Sequence, residues 1–280
     1  MTHTTIEFGY DGDTCAFDGK TASPRESQRI LDVVNPLRER AGERSGFKMV
    51  SQNNFQSNIG LGASASGFAA LAVASAKALG LELGLEQISR YARRGAGSAS
   101  RAVTGGFSLW YAGKDDQSSY STQIASSRQL DMGIVAALVP AFKSTEDAHR
   151  AVVSSPFFRA RLEYVEGAIP QMMDAIRSGS FEQIGKLAEL DTLLLHGITM
   201  TGVDELFLWR PETVSIILEV KRMRKEGLEC YFSIDTGATV YINSRLQDSS
   251  EVARRIDALG IKVLKCHVGD EAMVVGDHLF

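Results

Sequence analysis

The chain has 280 residues, 34 acidic and 30 basic, giving a formal net charge of −4, and 44% of them are hydrophobic. That is ample for one large or two moderate domains with full cores, and nothing in it marks the concentrated basic face of a nucleic-acid binder. No apolar run reaches membrane-spanning length, and the polar start Met1-Thr2-His3-Thr4 carries no secretory signal. Three cysteines, Cys15, Cys230 and Cys266, are odd in number and far apart, so they read as reduced thiols of a cytoplasmic protein, and no His/Cys cluster has zinc-ligand spacing.

Thr4 to Phe8 and Thr14 to Phe17 are β-rich and joined by Gly9-Tyr10-Asp11-Gly12, which predicts a hairpin. Ser23-Pro24-Arg25-Glu26 is a capping box with proline in the first turn, opening a helix whose apolar face is Ile30, Val33, Val34 and Leu37. Pro36 is expected to bend that helix or end it early, and Gly42 to close the segment. Phe47 to Val50 is a strand leading into Gly60-Leu61-Gly62-Ala63-Ser64-Ala65-Ser66-Gly67 and a small-residue helix. A second helix turns Leu85, Ile88, Tyr91 and Ala92 inward and ends in the small-residue turn Arg93 to Arg101; Thr104-Gly105-Gly106 then launches a strand, Phe107 to Tyr111.

Composition changes near Gln123 to Gln129, which places a boundary between a first domain, 1–127, and a second, 128–280. Met132 to Phe142 fits a strand inside a sheet, and Ser144-Thr145-Glu146-Asp147 starts a helical region. Helices follow over Pro156 to Ser178, with a break near Gly167, and over Phe181 to Leu195. Pro211 opens another, with Val214, Ile217, Leu218 and Met223 inward and a stop at Gly227. Cys230 to Ile234, Thr239 to Ile242 and Ile261 to Cys266 read as strands, with a helix from Ser250 to Leu259, so the second half is an α+β sandwich.

Several of these stretches carry chemistry. Glycines and serines running into a helix present free backbone N–H groups, which attract phosphate. Ala65 stands where a dinucleotide fingerprint needs glycine, and the P-loop lysine is missing, so this is a third kind of anion cradle or only a tight turn. Ser64 and Ser66 suit magnesium or phosphate and equally suit helix capping. Asp235, at the end of an apolar strand and before a glycine turn, sits where a partly desolvated carboxylate acts as a base or orients a hydroxyl; a turn-forming aspartate is the commoner case. Arg101, beside small hydroxyl residues, suits a carboxylate or phosphate ligand, against the commoner surface salt bridge. Arg93 and Arg94 read as a solvated helix end, His196 as a helix-terminal histidine, His149 as ambiguous, and Trp110 and Trp209 as core or interface.

Four segments together resemble the GHMP kinase superfamily and, within it, the mevalonate diphosphate decarboxylase branch. Ser51 to Phe55 with Gly60 to Gly67 is similar to the phosphate loop, and Arg93 to Trp110 to the branch's Gly-Ser-Gly-Ser-Ala-Cys-Arg-Ser stretch with its Gly-Gly-Phe strand. Ser144 to Arg159 looks like the substrate-loop region, and Phe232 to Ala238 like the Asp-Ala-Gly-Pro-Asn motif. The resemblance covers nearly the whole chain. It departs in lacking the family's opening strand and Lys-Tyr-Trp-Gly segment ahead of Thr4, as if the N-terminal segment were missing. Ala63 replaces a loop serine, Ala96, Ser100 and Ala102 alter the arginine motif, and Thr236 to Thr239 lack the usual proline and asparagine.

The resemblance implies an α+β GHMP-type fold, with a ribosomal protein S5 domain 2-like first domain and a ferredoxin-like α/β sandwich second. It implies ATP-dependent decarboxylation of mevalonate 5-diphosphate to isopentenyl diphosphate, through phosphorylation of the 3-hydroxyl, with ATP and Mg2+ as cofactors and a homodimer in the cytoplasm. Asp235 would deprotonate or orient the hydroxyl and Arg101 would hold the carboxylate. Ser98, Ser100 and Ser144 would contact the substrate phosphate. Asn54, Gly60, Gly62, Ser64, Ala65 and Ser66 would hold ATP, with Ser64 near the metal. The alternatives are a decarboxylase of mevalonate 5-phosphate or 3,5-bisphosphate, a mevalonate 3-kinase, against which Asp235 argues, and an inactive binding protein.

Overall fold

The structure is a computed structural model describing residues 1–55, 61–140 and 152–280. It divides into two compact units, Met1–Ser127 with Gly269–Phe280, and Arg128–Val268. Among the described residues no helix is long and apolar enough to cross a membrane.

The first unit opens with strands β1 (Thr2–Tyr10), β2 (Thr14–Phe17) and β3 (Lys20–Thr21), helix α1 (Pro24–Ala41) and strand β4 (Gly46–Asn53). Its sheet order is β1-β4-β2-β3. The expected hairpin between β1 and β2 is not formed: β4 lies between them, antiparallel to β1 and parallel to β2. Strand β4 brings Phe47 and Met49 into the core of this unit, where both are fully buried. The capping box at Ser23 is complete, with Glu26 N donating to Ser23 Oγ and Ser23 N donating to Glu26 Oε2. Helix α1 runs through Pro36 to Ala41 rather than ending early, since Val33, Val34 and Leu37 on either side of the proline are wholly buried in one core face. Gly42 closes it at φ 71°.

Helices α2 (Ala63–Ala78), α3 (Leu85–Gly95) and α4 (Ala99–Thr104) follow, then strands β5 (Phe107–Trp110) and β6 (Ser121–Ala125), paired antiparallel. The small residues of α2 let it pack against β1 and against α1, α3 and α4. Part of the expected turn between Arg93 and Arg101 is thus helical, which fixes the direction of Arg101. The last twelve residues, Gly269–Phe280, belong with this unit and not with the second. Gly106 N donates to Gly269 O at 2.8 Å, Ala272 N to Val103 O at 3.0 Å, and Leu279 N to Thr5 Oγ1 at 3.0 Å. The ammonium of Lys48 lies 4.0 Å from the Phe280 ring centre.

The second unit has β7 (Met132–Ala137), α5 (Phe158–Ser178), α6 (Phe181–Met200), α7 (Pro211–Lys225), β8 (Cys230–Ser233), β9 (Val240–Arg245), α8 (Ser249–Asp257) and β10 (Val263–His267). Its sheet is fully antiparallel in the order β10-β7-β9-β8, which leaves β8 at an edge. Helix α5 is continuous across Gly167, contrary to the expected break. In α7 the inward face is Thr213, Ile216, Ile217, Val220 and Met223, while Val214 and Leu218 are 41% and 61% exposed. Thr213 sets this phase: its Oγ1 donates to Ala238 O at 3.0 Å and accepts from Arg210 N at 3.1 Å.

Candidate functional site

In the first unit, Gly62 sits at the N-cap of α2 with φ 69°, a left-handed conformation that costs strain for any residue carrying Cβ. Neither a side-chain cap nor an acidic residue covers the first turn of α2 among the described residues. Among the described residues its leading N–H groups and the positive end of the helix dipole are therefore left for an anion. Ser64 is exposed in that turn and Ala65 half-buried. The Ser66 hydroxyl donates to Thr2 Oγ1 at 2.6 Å, and Thr2 donates to Asn53 Oδ1 at 2.6 Å, so Ser66 ties α2 to the sheet. Asn54 is exposed, its Oδ1 accepting from the Met1 amino group at 2.6 Å. Gly60, Ser144 and His149 lie outside the described residues.

The arginine-rich stretch sorts its cations. Arg90, Arg93 and Arg94 converge on Asp116 at 3.0, 2.6 and 3.0 Å. Burial pushes the Asp116 carboxyl up, but the Arg90 hydrogen bond and the charges of Arg94 and Arg93 outweigh it and hold the group below the usual carboxylate range. These side chains are consequently not the expected solvated helix end. Helix α3 stops at Gly95, where an added Cβ would stand 2.2 Å from the Phe68 ring of α2. Arg29 holds the Gly95 carbonyl through Nε at 2.9 Å and Nη2 at 2.6 Å. Just beyond, Ser98 is exposed, and Ser100 is buried and donates its hydroxyl to Gly97 O at 2.9 Å. Arg101 is exposed on α4, and its guanidinium has no ion-pair partner among the described residues. Trp110 packs over Gly97 and donates Nε1–H to Ser119 Oγ at 3.1 Å.

In the second unit, Asp235 follows β8 and is exposed, not partly desolvated as the strand-tip reading expects. The ladder ends at Ser233, so by Asp235 the chain has left the sheet and the carboxylate faces water. The backbone there is fixed from α6. Phe232 N donates to Glu189 Oε1 at 3.1 Å, Ile234 N donates to Thr192 Oγ1 at 3.1 Å, and His196 Nε2 lies 2.9 Å from Asp235 O. His196 is almost wholly buried, and its ring packs against Trp209 at 5.2 Å between centres. Burial lowers its pKa, outweighing the hydrogen bond and charge of Asp235. Tyr241, on the neighbouring strand, is pushed up to about 12, first by burial and then by the Asp235 charge.

Sequence reasoning missed Asp116, Glu189 and Thr192. The last two carried a signal: with His196 they stand at i, i+3 and i+7, a polar stripe along one side of the helix. A surface hollow lined by Leu31, Asp32, Asn35, Pro36 and Arg94 contains none of the expected site residues.

Residues 1–121 match the family model for the diphosphomevalonate decarboxylase-like N-terminal domain. A phosphomevalonate decarboxylase of Haloferax volcanii is 40% identical over 279 residues, covering 99% of this chain and 86% of its own length. The mevalonate diphosphate decarboxylase from Enterococcus faecalis, solved in work on mevalonate diphosphate mediated ATP binding, superposes with a TM-score of 0.88 at 29% identity, over 97% of this chain and 85% of that one. A second solved structure, MDDEF in complex with MVAPP, AMPPCP and magnesium, gives 0.87 at 29% identity with the same coverage.

Proposed function

The chain belongs to the mevalonate diphosphate decarboxylase family of the GHMP kinase superfamily, and from that premise we propose that it is an ATP-dependent carboxy-lyase acting on a 5-phosphorylated mevalonate. Hydroxide is a poor leaving group from a tertiary carbon and phosphate a good one, so the co-substrate ATP supplies the phosphoryl group that converts one into the other. Loss of phosphate and of carbon dioxide then leaves the isopentenyl skeleton.

Each residue in this reading has one task. The exposed carboxylate of Asp235 accepts the proton of the 3-hydroxyl, or orients that hydroxyl toward the phosphoryl group. Arg101 holds the substrate carboxylate. Ser98 meets the 5-phosphate, while Ser100, whose hydrogen is committed to Gly97 O, shapes the turn that presents both. Ser144 is assigned to the same phosphate by resemblance alone. The leading N–H groups after Gly62, that of Ala65 among them, cradle the ATP phosphates, while Gly60, Ser66 and Asn54 are assigned to ATP by resemblance alone. Magnesium, when bound, would neutralise phosphate charge. The exposed Ser64 hydroxyl fits it, and among the described residues no cluster of three or more His, Cys, Asp or Glu could cage a metal, as suits an ion held chiefly by substrate phosphates.

The observation that carries the reading is the state of Arg101: of the four arginines from Arg90 to Arg101, it alone lacks an acidic partner among the described residues. Mevalonate 5-phosphate is the favoured form, because the relative at 40% identity is a phosphomevalonate decarboxylase, whereas the diphosphate enzyme of Enterococcus stands at 29%. Mevalonate 5-diphosphate, giving isopentenyl diphosphate, is the second reading and the one expected from the sequence. A cytoplasmic homodimer belongs to this reading on the resemblance alone.

The test is purified protein with ATP, Mg2+ and each of mevalonate, its 5-phosphate, its 5-diphosphate and its 3,5-bisphosphate. Product mass and carbon dioxide release are read together. Asp235→Asn should abolish product while ATP, followed by calorimetry, still binds. Full turnover by that variant, or no carbon dioxide from any of the four, would overturn the proposal.

A further inference from the structure

We propose that His196 is the positioning residue that fixes the catalytic carboxylate of Asp235, an inference that rests on the base assignment above. The argument starts at a sheet edge. Strand β8 pairs with β9 along one side only, from Cys230 opposite Ser244 to Ser233 opposite Tyr241. Its outer N–H groups would otherwise go unmet, and unmet buried backbone groups are costly. Helix α6 meets them with side chains in place of a fifth strand: Glu189 takes Phe232 N and Thr192 takes Ile234 N. Both are acceptors. One residue later the polarity reverses, because the group turned toward the helix is the carbonyl of Asp235.

A carbonyl only accepts, so Nε2 of His196 carries the hydrogen and Nδ1 is the bare nitrogen. Nδ1 is buried and has no hydrogen-bond partner among the described residues. The ring therefore spends its single donor on this one contact, and Trp209 fixes its plane from the side. With its carbonyl held against α6, the Asp235 backbone is anchored, while its side chain is exposed. The strand itself ends before Asp235, so His196 is the last described tie between α6 and the segment that carries the carboxylate. A general base misplaced by about 1 Å loses about a hundredfold in rate.

The test compares H196L, H196Q and H196N with the native chain and D235N, using ATP, Mg2+ and whichever mevalonate phosphate the native chain turns over. Leu fills the ring's place without a donor, Gln returns an N–H near the Nε2 position, and the shorter Asn amide stops short of it. H196L should lower kcat by about tenfold to a hundredfold while KM for ATP moves less than about twofold. H196Q should recover most of that kcat, and H196N little of it, at matched Tm. A packing role alone would move Tm and leave kcat indifferent to the donor. Equal kcat for H196Q and H196N, or native kcat in H196L, overturns the inference while an inactive D235N leaves the base assignment standing. A fully active D235N would overturn both. If H196L does not fold, the Gln–Asn pair decides.

Discussion

Arg224 and Glu189 meet fork to fork, Nη1 to Oε1 at 2.8 Å and Nη2 to Oε2 at 3.1 Å, and the same Oε1 accepts the amide of Phe232. One carboxylate thus joins α7, α6 and the edge strand β8. Arg224 adds a bond to Cys230 O at 3.0 Å and lies 4.6 Å from the centre of the Tyr231 ring. Glu189 is only 13% exposed, so removing its partner strands a charge that water reaches poorly.

Arg224→Met should therefore cost about 2–3 kcal/mol, and Glu189→Gln about 1, because the amide oxygen still accepts from Phe232 N. Urea unfolding at constant slope checks both. A smaller loss from R224M than from E189Q would contradict the charge argument.

Asp116 neutralises three guanidiniums, and its side chain is 42% exposed, so screening discounts each pair. Asp116→Asn should cost about 1 kcal/mol at low salt, and the difference from the native chain should shrink as salt rises, since unpaired like charges then repel less. The melting temperature measured across a salt series reads this directly. A salt-independent difference would mean that Asp116 acts through its backbone contacts alone.

How much of this was legible in the sequence follows from range. The Ser23–Glu26 capping box, the Gly42 cap and the Gly62 turn depend on neighbours within four residues, and all could be read. The pairing of β4 between β1 and β2 joins residues far apart in the chain, Met49 lying opposite both Ile6 and Cys15, so local turn signals pointed to the wrong partner. The phase of α7 was missed because Val214 and Leu218 are apolar, while the residue that sets the phase, Thr213, is polar and bonds to Ala238. Asp235 and Arg101 were legible as candidates from their flanking residues. Their surroundings were not: Asp116 takes the competing arginines from a loop beyond α4, and His196 grips Asp235 from another helix.

Burial holds His196 neutral below the ordinary histidine value, which sets a sign for stability against pH. Above about pH 6.5 neither folded nor unfolded chain protonates this ring, and its contribution is fully present. As pH falls from there toward the lowered native value, the unfolded chain binds a proton that the native one refuses, and stability declines by up to about 1.4 kcal/mol per pH unit. His196→Gln should remove that part of the slope. Between about pH 7.5 and 5.5 the Tm of the native chain should fall relative to that of His196→Gln as the pH drops. Asp116, a lowered carboxylate, acts below this range, and parallel curves would exclude His196 as the source.

Arg101 and Arg93 provide the sharpest separation of function from stability. Arg93 spends its guanidinium on Asp116 at 2.6 Å and on Ser119 O at 2.9 Å and is 19% exposed, so it belongs to the fold. Arg101 is exposed and makes no ion pair among the described residues. Arg101→Met should leave Tm within about 1 °C while kcat/KM falls by about a hundredfold or more, the loss expected when a charged clamp on a carboxylate is removed. Arg101→Lys should recover only part of it, because a point charge cannot make the paired contacts of a guanidinium. Arg93→Met should do the reverse, lowering Tm by several degrees with a smaller kinetic effect. Measuring Tm and kcat/KM for all three variants settles the division, and an R101M that melts early with normal kinetics would return Arg101 to the role of a surface arginine.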